Sequence, residues 1–131
     1  MRAFLILALL AIPTAAGSQQ LNCEQPMSQA EMTGCAALDL ERADDELNRV
    51  WKRAMGAARR SDADHVPDGL PSRATLLRDA QRKWIAYRDA ACDAEATVAY
   101  GGTLSGQIHL MCKERLTRLR ARDLLDFSRQ F

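Results

Sequence analysis

The residues of this 131-residue chain best suited to covalent chemistry are its four cysteines, Cys23, Cys35, Cys92 and Cys112. An even number of cysteines in a short chain that opens like an export signal predicts oxidation to two disulfides. Cys23 and Cys35 lie 12 positions apart, and Cys92 and Cys112 lie 20 apart across Gly101-Gly102, so local pairing is preferred among the three possible connectivities. Closing loops of that size contributes about 3 kcal/mol each in the chain-entropy view. A four-cysteine zinc site is disfavoured because no close CxxC pair exists. The two histidines offer little: His65 stands in a proline-rich stretch and His109 is isolated, with no HExxH pattern. Nothing resembles an activated serine or cysteine nucleophile, and oxidised cysteines leave no thiol to attack. The expectation is a protein that is not an enzyme and uses no metal or cofactor.

Residues 1–18 have Arg2, an apolar run from Ala3 to Ile12, then Pro13 and small residues through Ser18. This is the layout of a secretory signal cleaved near residues 16–18; the run falls short of the ~20 apolar residues of a membrane span. Leu21-Asn22 before Cys23 suits lipid anchoring poorly, so no stable membrane anchor is expected after cleavage. Residues 19–131 are then one small periplasmic or secreted domain. Without Arg2, basic and acidic side chains balance at 17 each, and no global field attracts nucleic acid or an anionic membrane. The charges are nevertheless segregated along the chain: Glu24–Glu46 is acidic, whereas Arg49–Arg60 is basic. A helix macrodipole accounts for such an order if the first run lies at a helix start and the second at its end.

These residues need helices to position them. Ser28-Gln29-Ala30-Glu31 has the form of a capping box opening helix 1, followed by Met32, Cys35/Ala36, Ala43, Leu47, Val50/Trp51 and Ala54 at helical spacing, fading at Gly56. Residues 61–71 carry two prolines, a glycine and three aspartates and are expected to form an exposed connection. Helix 2 begins near Ser72, its inner stripe Leu76/Leu77, Ala80, Trp84, Tyr87/Arg88, Ala91 and Val98, and ends by Gly101-Gly102. Helix 3 runs from about Leu104 to Phe127 with Leu104, Ile108, Met111/Cys112, Leu116 and Leu119 inward. The predicted fold is all-α, a small antiparallel three-helix bundle stapled by two disulfides. Cys35, Cys92 and Cys112 fall near one end, so Cys35 with Cys92 remains a rival pairing.

Met32-Thr33-Gly34-Cys35-Ala36, Ala43-Asp44-Asp45-Glu46-Leu47-Asn48, the run Ala80 to Cys92, Gly101-Gly102-Thr103, and Cys112 with Leu116-Thr117-Arg118-Leu119-Arg120 follow in an order that resembles the LprI-like lysozyme-inhibitor family. The resemblance covers nearly all of residues 19–131 and is most specific over Gln81–Cys92. It implies an exported helical domain and, for some members, binding and inhibition of host lysozyme. Animal lysozymes are usually basic, so a neutral chain predicts weak electrostatic steering. The alternative is a non-inhibitory helical adaptor, or a protective partner of another periplasmic protein; a small-ligand binder with a pocket between helices is a third class.

Within this frame Leu47, Trp51, Trp84, Tyr87 and Leu116 are the expected core, Trp84 as packing rather than a ligand platform. Asp44, Asn48, Gln81 and Arg88 are expected to meet across helices 1 and 2, Asp44 with Arg88 fixing register, with a binding role as the other reading. Thr117 and Arg120 belong to the same polar set, Arg120 reaching a carboxylate on a neighbouring helix. Arg115, Arg118 and Arg122 share a face of helix 3 as solvated surface or as a patch for an acidic partner. Tyr100, Gly101, Gly102, Thr103 and Ser105 are the candidate partner-binding residues: an aromatic and glycines between two helices, held at both ends by Cys92 and Cys112. The same stretch also reads as a plain helix-to-helix turn.

Overall fold

The computed structural model describes residues 21–131, and the predicted export signal at 1–18 lies outside them. Three helices account for most of this length: α1 (Gln29–Asp64), α2 (Arg73–Ala96) and α3 (Leu104–Ser128), with a short 3-10 turn at Thr97–Ala99. No strand occurs among the described residues.

Local chemistry fixes the helix starts. The Glu31 amide donates to the Ser28 hydroxyl at 3.2 Å, and the Glu31 carboxylate accepts from the Ser28 and Met27 amides at 3.1 and 2.7 Å, so α1 opens on a complete capping box. The inner face of α1 does not fade at Gly56. The helix continues through Ser61–Asp64, because Ala57 and Ala58 are buried, and that packing outweighs the ~1 kcal/mol cost of one glycine. The exposed connection is accordingly shorter than the expected 61–71, and Gly69 turns it at φ +77°.

Asp62, in the last turn of α1, reaches across to the start of α2. Its carboxylate accepts from the Arg73 and Ala74 amides at 2.8 and 3.0 Å and from the Arg73 guanidinium at 3.3 Å, while Ser72 accepts from Thr75. Three otherwise unpartnered amides of the first turn are thereby satisfied. Burial alone would push this carboxyl up, but those hydrogen bonds and the Arg73 charge outweigh it and hold it below the usual carboxylate range. A depressed carboxylate stabilises the fold above its unfolded value near ~3.9 and loses that contribution as pH falls through the folded value. In urea titrations, the midpoint gap between wild type and Asp62→Asn is therefore expected to be widest near neutrality and to close below about pH 4; a gap constant with pH would remove the carboxylate from this role.

α1 and α3 run parallel and α2 runs antiparallel to both. Gln29 donates to Gln107 at 2.7 Å near the starts of α1 and α3, and Arg118 meets Glu46 at 3.4 Å midway along them. α1 packs most extensively on α3. Leu47, Ala54, Met55, Ala58, Ala74, Leu77, Ala121 and Leu124 form the central core, with Val50, Trp51, Trp84 and Phe127 half-buried against it. Ala43, Ala54, Ala58 and Ala121 are almost wholly buried, and such small side chains let two helix backbones approach closely. Cys92 and Cys112 belong among the largest fully buried side chains, so the disulfide itself forms much of the core at its end.

That close approach overturns part of the expected facing. α3 turns Cys112, Thr117, Ala121, Leu124 and Ser128 inward, while Leu104, Met111 and Leu119 are exposed and Leu116 is half-buried. Small residues, not the bulkiest ones, meet the alanine row of α1. On α2 the inward position goes to Arg88, and Tyr87, expected in the core, is 62% exposed. Val98, also expected inward, lies beyond the end of α2 and is 79% exposed.

Candidate partner-binding end of the bundle

Cys23 is joined to Cys35 and Cys92 to Cys112, and no free cysteine remains. Both bridges lie at the end holding the start of α1, the end of α2 and the start of α3. This geometry is the local pairing, and the rival bridge from Cys35 to Cys92 does not form.

The turn between α2 and α3 hangs from the buried Cys92–Cys112 bridge. Its backbone is closed by hydrogen bonds from the Tyr100 amide to Thr97 (3.2 Å), from Gly102 to Ala99 (3.0 Å) and from Ser105 to Gly102 (3.2 Å). Gly101 has φ +76°, a left-handed conformation that other residues adopt only with strain. Nothing lies within 4 Å of where its Cβ would stand, so its outer side is open. Tyr100 is 81% exposed, and Val98 and Leu104 flank it on the surface. Thr103 is exposed, and its hydroxyl makes no capping bond to α3. Ser105 is different: half-buried, its hydroxyl donates to the Ala96 carbonyl at 3.1 Å and braces the turn from inside. Of the five candidate positions, Tyr100, Gly101, Gly102 and Thr103 form the outer surface and Ser105 supports it. Val98 and Leu104 were missed by periodicity because each was assigned to an inner stripe; the glycine pair that ends the helical register was the signal available.

A groove of about 670 Å³ opens at this same end between α1 and α3, with Pro26, Met32 and Met111 among its apolar walls and Glu95, Gln107 and Arg115 among its polar ones. Arg115 pairs with Glu95 of α2 at 2.7 Å, and Arg118 pairs with Glu114 of its own helix. Arg122 is exposed at the groove margin.

The polar residues expected between helices divide into two groups. Arg88, only 12% exposed at its side chain, donates to Asp44 at 3.3 Å, to Thr117 at 3.1 Å and to Asp89 at 3.0 Å. Thr117 is wholly buried. Burial raises the Asp89 carboxyl, yet hydrogen bonds from Arg88 and Lys113 prevail and leave it below its ordinary value. One layer further along, Arg120 donates to the Gln81 amide oxygen at 2.9 Å rather than to a carboxylate. Burial holds its guanidinium below the ordinary value against the pull of Asp123, and its Nη2 has no partner. Trp84 lies between the two layers, with Arg88 and Arg120 over its ring at 5.2 and 5.9 Å. Asn48 is exposed and takes no part. These contacts tie helices together, well away from the α2–α3 turn.

Folding also sorts the charges. The level set by Glu46, Arg88, Thr117 and Arg118 divides the bundle into two halves. The half with the disulfides and the turn (residues 21–46 and 88–118) carries eleven carboxylates and five Lys/Arg, a formal charge of −6. The other half (residues 47–87 and 119–131) carries six carboxylates and twelve Lys/Arg, a formal charge of +6. A neutral total conceals a strongly polar molecule.

The described residues thus form a small helical domain stapled by two disulfides, with an exposed, braced turn at its acidic end. The sequence model of the family "Lysozyme inhibitor LprI" matches residues 22–124, and the chain belongs to that family. It is also 30% identical, over 114 residues spanning 86% of this chain and 82% of the other, to an uncharacterized protein of Rhizobium meliloti (strain 1021). No solved structure matches. The two disulfides suit an exported protein, and none of the described helices is long and apolar enough to cross a membrane.

Proposed function

We propose that this protein, exported and freed of residues 1–18, binds lysozyme and inhibits it by sterically covering the glycan cleft, acting through contact and not through chemistry. The observation that carries this reading is the α2–α3 turn: Tyr100 and Thr103 project from a backbone held by the buried Cys92–Cys112 bridge, at the end of formal charge −6. A turn ordered in advance loses little freedom on binding, and a large exposed aromatic is the side chain type that most often anchors an interface. The acidic half supports attraction to a basic lysozyme despite the neutral total, so steering need not be weak.

Lysozyme turnover in the presence of the oxidised chain 19–131 tests the proposal. Inhibition is expected, weakening as salt screens the encounter; full turnover at large molar excess would exclude it. Replacing Tyr100 and Thr103 together by alanine is expected to raise the inhibition constant at least about tenfold. A folded double variant with undiminished inhibition would move the contact away from the turn.

A further inference from the structure

The basic half presents a feature that folding does not require. Arg49, Lys52, Arg53, Arg59 and Arg60 are all exposed, and about 100° per residue puts them within an arc of ~120° on the side of α1 opposite Leu47, Ala54 and Ala58. None makes an ion pair with a described residue, and neither does Arg78 of α2. Arg49 with Lys52 and Arg49 with Arg53 are like charges at three- and four-residue spacing, an arrangement that destabilises a helix. The macrodipole offers no relief. α1 runs on to Asp64, its last turn holds no basic residue, and the dipole's influence fades within one turn. The order of charges that seemed explained by the helix end is therefore unexplained by it.

Lys52, Arg59 and Arg78 also line one groove of about 400 Å³ with Trp51 and Met55 as its apolar floor. Arg78 and Arg82 border the adjoining groove together with Ile85, which is 41% exposed. From Arg49 to Arg60 the cations extend ~17 Å along a rigid helix, a length that meets several separate anions at once rather than enclosing one.

We infer that this face of α1, with Arg78, is a docking surface for an anionic lipid bilayer, the cations meeting headgroup phosphates and Ile85 and the Trp51 edge contacting the apolar margin. Unpaired cations spread over a face shared by two helices complement a surface of repeated negative charge, and apolar side chains beside them suit the headgroup boundary. Contact is peripheral and reversible.

Vesicle flotation of the oxidised chain 19–131 tests this. Binding is expected to phosphatidylcholine vesicles containing about 30% phosphatidylglycerol and not to phosphatidylcholine alone, and it is expected to be lost near ~0.5 M salt. Arg53→Glu with Arg59→Glu should weaken binding at least about tenfold, and Arg49→Gln with Lys52→Gln should also weaken it. Lys83→Glu with Arg122→Glu makes the same change in net charge off this face and is expected to alter binding less than about twofold. Circular dichroism melts establish that each variant is folded. Equal losses from both charge-reversal pairs, indifference to phosphatidylglycerol, or binding to soluble tripolyphosphate without binding to vesicles would each overturn the proposal.

Discussion

Replacing Cys92 and Cys112 together by alanine is expected to lower the thermal midpoint by about 15 °C. The bridge closes a 20-residue separation, for which the chain-entropy view gives roughly 3 kcal/mol. Its two cysteines are almost completely buried where few large apolar side chains are available, so alanine also leaves a void. At roughly 4 °C per kcal/mol for a domain of this size, the two effects together reach the stated shift. The other bridge provides the comparison. Cys23 is exposed and its bridge closes a shorter 12-residue separation, so Cys23→Ala with Cys35→Ala is expected to cost clearly less. Melts followed by circular dichroism on the three oxidised proteins make the comparison. Equal shifts for both double variants would show that burial of the Cys92–Cys112 bridge contributes nothing beyond loop closure.

The second large effect is expected at Arg88. Truncation to alanine should destabilise by about 2–4 kcal/mol, because it leaves the buried Thr117 hydroxyl without its cross-helix donor, uncovers one face of Trp84 and opens a gap between helices. Asp44 is 44% exposed at its side chain, so Asp44→Ala should cost no more than about 1 kcal/mol, as for surface ion pairs. The expected loss is thus asymmetric across one ion pair. A combined Arg88→Met and Thr117→Val exchange removes both partners together and is expected to recover at least half of the loss. Chemical denaturation of the wild type and these three variants decides the matter. Equal costs for Arg88→Ala and Asp44→Ala would place the stabilisation in the ion pair itself, not in the buried hydroxyl and the packing.

These two sites also explain why Gln81–Cys92 is so distinctive. Gln81, Trp84, Arg88 and Cys92 recur along the inward side of α2, and each is held by a partner on another helix: Arg120 for Gln81 and Trp84, Thr117 and Asp44 for Arg88, Cys112 for Cys92. The stretch is a frame that suspends the turn. The surface proposed for binding begins only after it, at Val98 and Tyr100.

Much of the architecture was legible in the residues because it depends on local rules. The Ser28–Glu31 cap, the Ser72 start, the glycine-marked stop and the three-four spacing all act within a turn or two of chain, and an even cysteine count needs only an oxidising compartment. The Asp44–Arg88 pair was legible for a related reason: a charge near an apolar stripe has few ways to be satisfied. What could not be read was decided between helices. Close packing of the alanine row on α1 turned Thr117, Ala121 and Ser128 of α3 inward ahead of its larger Leu104, Met111 and Leu119, and burial of Ala57 and Ala58 continued the inner face of α1 beyond Gly56, where its stripe was expected to fade. Tyr87 faces water because Arg88 occupies the inward position. Charge shows the same division. The order of acidic and basic runs is a property of the chain, whereas the separation into ends of −6 and +6 arises because an up-down-up bundle stacks residues 21–46 beside 88–118 and sends the basic middle of the chain to the opposite end. Spacing along one helix specifies that helix; which faces meet, and which charges gather, depends on how three helices fill space together.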